Sequence, residues 1–427
     1  MLTKIVVKGP ALSRSGYGEQ TRFALRALRS REDIFDIYII NIRWGGTGHV
    51  AQTTEETTWI HGLLAKTATY LQQTQGQPGF DISVQVTIPL EFEKMAISNI
   101  GYTAGIECNK ISPKWIEKTN ETVDKIITIS EHSQNVFKNT QYDALNQATG
   151  ETVKGWSVKV PVEVVGYPVR EIESQPIDVE FSTSKNFMVV SQWGPRKNLD
   201  NTIRWFVEEF QDDPDVGLVL KTNTMNDSIL DREKTITRLK SLLNEEKQWG
   251  VENRQCKIYL LHGELTEGQL AWLYQHPTMQ GLINIAHGEG FGLPLFEAAY
   301  NSLPLITVTW GGQLDFICKT NKKGKRVPYV VPVDYSIAPV QKSAIWPGVI
   351  EENTMWAYAR EASYKRALRE TITRQKHHRQ RARALKKEIV ANFKEDELLE
   401  RFVSYVHKEP DTEVVEWLKK IEEISEL

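Results

Sequence analysis

The stretch His287-Gly288-Glu289-Gly290-Phe291-Gly292-Leu293-Pro294-Leu295-Phe296-Glu297-Ala298 sets two carboxylates on either side of a glycine-punctuated turn that runs into a helix. The preceding Gly281-Leu282-Ile283-Asn284-Ile285 is short, apolar and strand-like, and Pro294 suits a first helical turn, where a missing N–H costs nothing. Glu297 is then expected on that first turn. The N–H groups from Phe291 to Leu293 become unpaired helix-start donors, and together with the helix dipole they offer a site for phosphate or sugar oxygens. Gly290 and Gly292 let a ligand approach closely.

This segment resembles the signature of the retaining GT-B glycosyltransferases of family four, in which two Glu residues enclose seven others with Gly-Phe-Gly-Leu-Pro among them. Ala298-Ala299-Tyr300-Asn301-Ser302-Leu303-Pro304-Leu305-Ile306 continues like that family's helix and next strand. The resemblance implies an α/β fold of two Rossmann-like doubly wound domains facing a cleft, with C-terminal helices crossing back onto the first domain. It also implies that Glu289 contacts the transferred sugar, that Glu297 holds the ribose hydroxyls, and that the amides of Gly290, Phe291, Gly292 and Leu293 meet the sugar and diphosphate. A nucleoside diphosphate sugar, with UDP-sugar favoured, is then a co-substrate, and no metal or other cofactor is implied.

Three further segments fall where such a site needs them. Thr3 to Lys8 reads as a strand, and Ser15-Gly16-Tyr17-Gly18-Glu19-Gln20 opens a helix, so Gly16 and Gly18 form a glycine loop suited to phosphate. Val189-Val190-Ser191-Gln192-Trp193-Gly194-Pro195-Arg196-Lys197-Asn198 reads as strand, polar turn and helix start, where cations oppose the helix dipole and so favour an anionic ligand. It looks like the family's diphosphate grip, with Lys197 in the second cationic position; Gln192 stands in the first, and Arg196 is the candidate to replace its charge. Lys221 ends the apolar run from Val216, and Leu265 lies in a segment after Lys257–Leu261 that resembles the base-contacting loop. Gly311-Gly312-Gln313 would close the back of the pocket. On the acceptor side, Glu107 before Ile111-Ser112-Pro113-Lys114-Trp115 resembles a subgroup with Glu where other relatives have His; Ser130 is expected to cap a helix, and His132 reads as structural.

Composition agrees with a globular chain of this kind. The 427 residues are 40% apolar and carry a net charge of −3. No apolar run approaches the roughly 18 residues needed to span a bilayer, and the first residues lack the pattern of a signal peptide, so a cytoplasmic protein is expected. Cys108, Cys256 and Cys318 are too far apart for a zinc spacing. The reading divides the chain into an acceptor-binding domain (1–170), a linker (171–184), a nucleotide-sugar-binding domain (185–390) and terminal helices (391–427). Strands are expected near 3–8, 36–42, 80–86, 99–104, 124–129 and 157–164, a loop or insertion over 140–155, and helix from about residue 353 onward.

Basic residues cluster at 319–326 and along 365–387, which could meet a nucleic acid or an anionic membrane surface if they share a face, or form a solvated helix surface. The acceptor classes left open are a glycan, a lipid-linked sugar and a modified nucleic-acid base. Asp213-Pro214-Asp215 imitates a metal-binding pair but sits where such residues form a turn. A dinucleotide fingerprint is excluded because Thr21 stands at its third glycine. A GT-B protein that binds without turnover, or a sugar phosphorylase or epimerase on the same fold, are the competing functions.

Overall fold

The computed structural model describes residues 2–145, 149–321 and 323–407. Runs such as Ile5-Val6-Val7 and Ile37-Tyr38-Ile39, apolar on both faces, form the first sheet, as expected of parallel strands covered by helices on either side. Its strands are β1 (Thr3–Gly9), β2 (Phe35–Asn41), β3 (Phe80–Gln85), β4 (Ala96–Thr103), β5 (Lys125–Thr128) and, beyond a hairpin of β6 (Tyr142–Leu145) and β7 (Thr152–Trp156), β8 (Val162–Val164). All six pair in parallel in the order β2-β1-β3-β4-β5-β8. The second sheet holds β9 (Lys185–Gln192), β10 (Val216–Asn223), β11 (Lys257–Leu261), β12 (Met279–Asn284) and β13 (Leu305–Val308). A small hairpin of β14 (Cys318–Thr320) and β15 (Arg326–Pro328) precedes its last strand, β16 (Val331–Val333). Its order is β11-β10-β9-β12-β13-β16, again parallel throughout.

Each sheet has a point where the strand order reverses, between β1 and β3 in the first and between β9 and β12 in the second. Open α/β sheets bind ligands outside the strand ends at such a point. The loops leaving β1, β9 and β12 all line one cleft between the sheets, of about 1390 Å³.

The chain closes on itself at its described end. The helix Glu395–Val406 lays Leu398, Phe402 and Val403 against the helix Gly16–Arg29, with Phe402 edge-on to Phe23 at 5.7 Å. Arg26 reaches Glu395 at 3.2 Å, and Lys125 donates to the Tyr405 carbonyl at 2.7 Å. Residues 408–427 of the expected terminal helices lie outside the described residues.

Three sequence expectations change. Of the strand expected over 157–164 only β8 forms. The segment 140–155 is largely the hairpin β6–β7, with residues 146–148 outside the described set. The chain after residue 353 is not yet helical: β17 (Tyr335–Pro339) and β18 (Met355–Ala359) pair antiparallel first, and helices begin at Glu361. The segment 335–359 acts as a strap. It leaves the second sheet after β16 and buries Val340, Val349 and Trp356 among Phe92, Ile111 and Trp115 of the first domain. Ser112 donates to Glu351 at 2.5 Å, and the Met355 N–H to the Asn109 side chain at 2.8 Å.

Much of the basic run 365–387 is engaged within the second domain. Lys365 pairs with Glu208 at 2.6 Å, Arg366 with Asp334 at 3.0 Å and Arg374 with Glu370 at 2.9 Å. Arg369 meets Glu209, Arg379 donates to the Met279 carbonyl, and Arg381 lies over the Tyr329 ring. In the other basic segment, Lys319 pairs with Glu388 at 2.5 Å.

Candidate active site

The turn after β9 and the loop after β12 are laced together by hydrogen bonds to their backbone carbonyls. Asn198, in the left-handed region at φ 55°, donates its side-chain amide to the Ile285 carbonyl at 3.3 Å. The His287 N–H donates to the Arg196 carbonyl at 2.8 Å, and the Arg196 guanidinium returns a bond to the Gly288 carbonyl at 2.7 Å. This fixes Arg196 and Lys197 on a 3₁₀ turn (Pro195–Lys197) facing Glu289.

Glu289 is buried and held from three sides. Lys197 Nζ lies 2.6 Å from one carboxylate oxygen and Asn284 Nδ2 2.9 Å from the same oxygen, while Arg196 lies 3.1 Å from the other. The second arm of Arg196 reaches Glu107 of the first domain at 3.1 Å. One guanidinium therefore joins a carboxylate of the first domain to one of the second, bringing together three residues that lie far apart in the sequence. Burial alone would raise the Glu289 pKa, but the charges of Lys197 and Arg196, with the Asn284 bond, more than offset it and hold it at about 2. Burial and the neighbouring Arg196 charge pull Lys197 below the usual lysine value.

The helix after the loop runs Leu293–Tyr300, with Gly292 at its N-cap in a left-handed conformation (φ 91°) that glycine adopts without strain. Glu297 therefore lies just past the first turn, one step later than expected. It lines the cleft and accepts a hydrogen bond from the Tyr274 hydroxyl at 3.1 Å. Burial, opposed only in part by that bond, pushes its pKa up to about 7.

Gly16, Gly290 and Gly292 line the cleft, and some of the glycines also meet close packing demands. A Cβ on Gly290 would come within 2.7 Å of the Ala104 carbonyl, and one on Gly288 would collide with the Glu107 carbonyl, so both let the loop lie flat against the first domain. Gly18 is buried against the Ser13 carbonyl, whereas Gly16 lines the cleft at the start of a helix capped by Ser15. Leu293 also lines the cleft. Phe291 has its ring buried against Tyr167 at 5.1 Å and Phe316 at 5.1 Å, and so anchors the loop.

Lys221 and Leu265 border the same cleft at the ends of β10 and β11. Burial lowers the Lys221 pKa. Arg14, from the loop after β1, crosses to pair with Glu264 beside Leu265. Gln192 lines the cleft and donates to the Thr224 carbonyl at 3.0 Å. Gly311 and Gly312 back the signature loop, where the Gly312 N–H donates to the Glu289 carbonyl at 2.8 Å. Ser130 caps its helix by accepting the Ser133 N–H at 3.1 Å, and His132 packs edge-on to Trp310. Asp213 accepts the Asp215 N–H at 3.0 Å, the turn anticipated for that pair. Among the described residues no group of three or more His, Cys, Asp or Glu side chains is gathered as for a metal ion, and no helix is long and apolar enough to cross a membrane.

Sequence reasoning missed Asn284, Tyr274 and Arg14. Asn284 had a local signal, a polar residue closing an apolar strand. Tyr274 and Arg14 act only through contacts with distant segments and had none.

No protein-family model and no curated protein matches the sequence. Solved structures do. Sucrose-phosphate synthase from Thermosynechococcus elongatus superposes with a TM-score of 0.59 at 11% identity, over 94% of this chain and 98% of that one. HepE from Anabaena, solved in complex with UDP and glucose, gives 0.54 at 13% identity, over 94% of this chain and 99% of that one. TarM from S. aureus gives 0.47 at 13% identity, over 80% of this chain; the chain spans only 58% of TarM's length. At these identities the likeness to the first two speaks for architecture alone, and with the two facing parallel sheets it shows that the chain has the GT-B fold.

Proposed function

We propose that the protein is a retaining glycosyltransferase that moves a sugar from a nucleoside diphosphate sugar, with UDP-sugar favoured, to a hydroxyl acceptor. The observation that carries this reading is Glu289, buried at the reversal point of the second sheet and held by Lys197, Arg196 and Asn284 at the wall of the cleft. The related architecture of HepE, which was solved with UDP and glucose, supports the same donor class.

In this reading the leaving diphosphate lies against Lys197, Arg196 and the amides that open the helix Leu293–Tyr300. These groups are fixed before the reaction, so they stabilise the developing negative charge without reorganisation. Glu289 faces the transferred sugar, and Glu297 accepts from the ribose hydroxyls. Gly16, Lys221 and Leu265 border the nucleotide, and Glu107, tied to the donor side by Arg196, faces the acceptor. With attack on the face the diphosphate leaves, the diphosphate oxygen takes the acceptor proton, so no protein base is required. The acceptor is a glycan, a lipid-linked sugar or a modified nucleic-acid base. Three free thiols suit a reducing compartment, and we place the protein in the cytoplasm.

A screen of nucleoside diphosphate sugars by thermal shift and nucleotide release tests the reading. One donor should raise the melting temperature and release nucleotide, and Glu297→Ala should lose both responses. If no donor stabilises the protein at millimolar concentration, the transferase reading fails in favour of a binding protein. Sugar 1-phosphate or an epimerised donor among the products would instead identify a phosphorylase or an epimerase.

A further inference from the structure

The acceptor end of the cleft carries aromatic side chains that the donor chemistry does not use. Trp346 sits on the strap, 60% exposed, and borders the cleft. The strap holds it there by a tight turn: the Trp346 N–H and carbonyl exchange bonds with Ile350 at 2.9 and 2.8 Å, and Glu351 accepts from the Gly348 N–H at 3.0 Å and from Ser112. Cys108, next to Glu107, is buried in the same apolar cluster as Val349 and Trp356 of the strap, so Trp346 stands on the Glu107 side of the cleft. Trp44 borders the cleft from the loop after β2, its ring 4.2 Å from that of Tyr17, whose hydroxyl meets Thr103 at 2.9 Å. A large exposed indole held by a rigid turn is costly to leave in water and is suited to covering the flat apolar face of a ring.

The charges around it are mixed. Lys114, whose stem a Cβ on Gly348 would meet at 3.4 Å, and Lys342 share this region with Glu351 and Glu352. A polyanion needs a one-signed track of cations, and much of the basic run 365–387 is already bonded within its own domain. We propose that Trp346 forms a stacking subsite for the acceptor, and that the acceptor is an uncharged sugar ring. This rests on the transferase reading and narrows its substrate.

The test uses the full chain with the donor found by turnover, a panel of methyl hexosides, and a duplex oligonucleotide bearing hydroxymethylated cytosine. A hexoside should be glycosylated. Trp346→Ala should raise its KM about tenfold, the loss of one good stacking contact, while the donor KM stays within about twofold and Trp346→Phe recovers most of the effect. Melting temperatures of both variants check that the fold is intact. Use of the oligonucleotide but of no hexoside, donor hydrolysis with no hexoside accepted, or an unchanged acceptor KM in Trp346→Ala would each overturn the subsite and leave the transferase reading standing. Absence of donor binding would remove both.

Discussion

Glu289 and Glu297 belong to the same loop and helix, yet one is held ionised to about pH 2 and the other keeps its proton to about pH 7. Both are desolvated; the partners differ. Glu289 faces two cations and an amide donor, whereas around Glu297 one tyrosine hydroxyl and the more distant Arg170 are set against the charges of Glu267 and Glu19. The lesson is that burial alone does not set the charge of a carboxylate: the side chains brought in from other strands and helices do. The first end of the segment is electrostatically satisfied within the protein, and the second is not.

The largest effect should come from removing a cation at the satisfied end. Lys197→Ala should lower turnover by about 10²–10³-fold, the usual cost of losing a preorganised charge in such a site, measured as nucleotide release at saturating donor. Next, Glu289→Gln leaves Arg196 and Lys197 short of their counter-charge and should destabilise the fold by about 3 kcal/mol in denaturant titrations at pH 7. Because the Glu289 pKa lies below its unfolded value of 4.5, this contribution is present above pH 4.5 and fades as pH falls toward 2, so wild type and variant should converge in acid.

Glu297 should behave in the opposite sense. Its folded pKa lies above the unfolded 4.5, so the native state loses stability as pH rises from 4.5 through 7. Glu297→Gln should match wild type near pH 4 and exceed it at pH 8, by no more than about 3 kcal/mol and less where water reaches the side chain. Donor affinity should move the other way, improving as pH rises through 7 and Glu297 becomes an acceptor for hydroxyls. If Glu297→Gln shows the same stability offset at both pH values, the contrast between the two carboxylates is wrong. The smallest effect belongs to Arg14→Ala, which removes a partly exposed pair with Glu264 and should cost less than about 1 kcal/mol.

The sheets and the signature were legible because their information is local. Runs such as Val189-Val190 and Leu218-Val219-Leu220 announce buried parallel strands, and the glycines and Pro294 of the loop announce a strand-to-helix turn. Domain-scale contacts were not legible. Gly290 lines the cleft, but nothing local announces that a Cβ there would also meet the Ala104 carbonyl of the other domain. The strap escaped notice because its strands are separated by a long loop, and what drives Trp356 inward is Trp115 and Ile111 of the other domain. The hydroxyl of Tyr274 falls in the same class: nothing near it in sequence says that it faces Glu297.

The strap also bears on how far the two halves can be treated as exchangeable modules. A cut at the linker 171–184 would separate two complete six-stranded sheets, but it would strip Val340, Val349 and Trp356 from the apolar cluster around Phe92, Ile111 and Trp115. The first half expressed alone should therefore be aggregation-prone. A chimera that exchanged the second half would replace part of the first half's core at the same time, so segment 335–359 and the helix Glu395–Val406 would both have to be kept from the parent of the first domain.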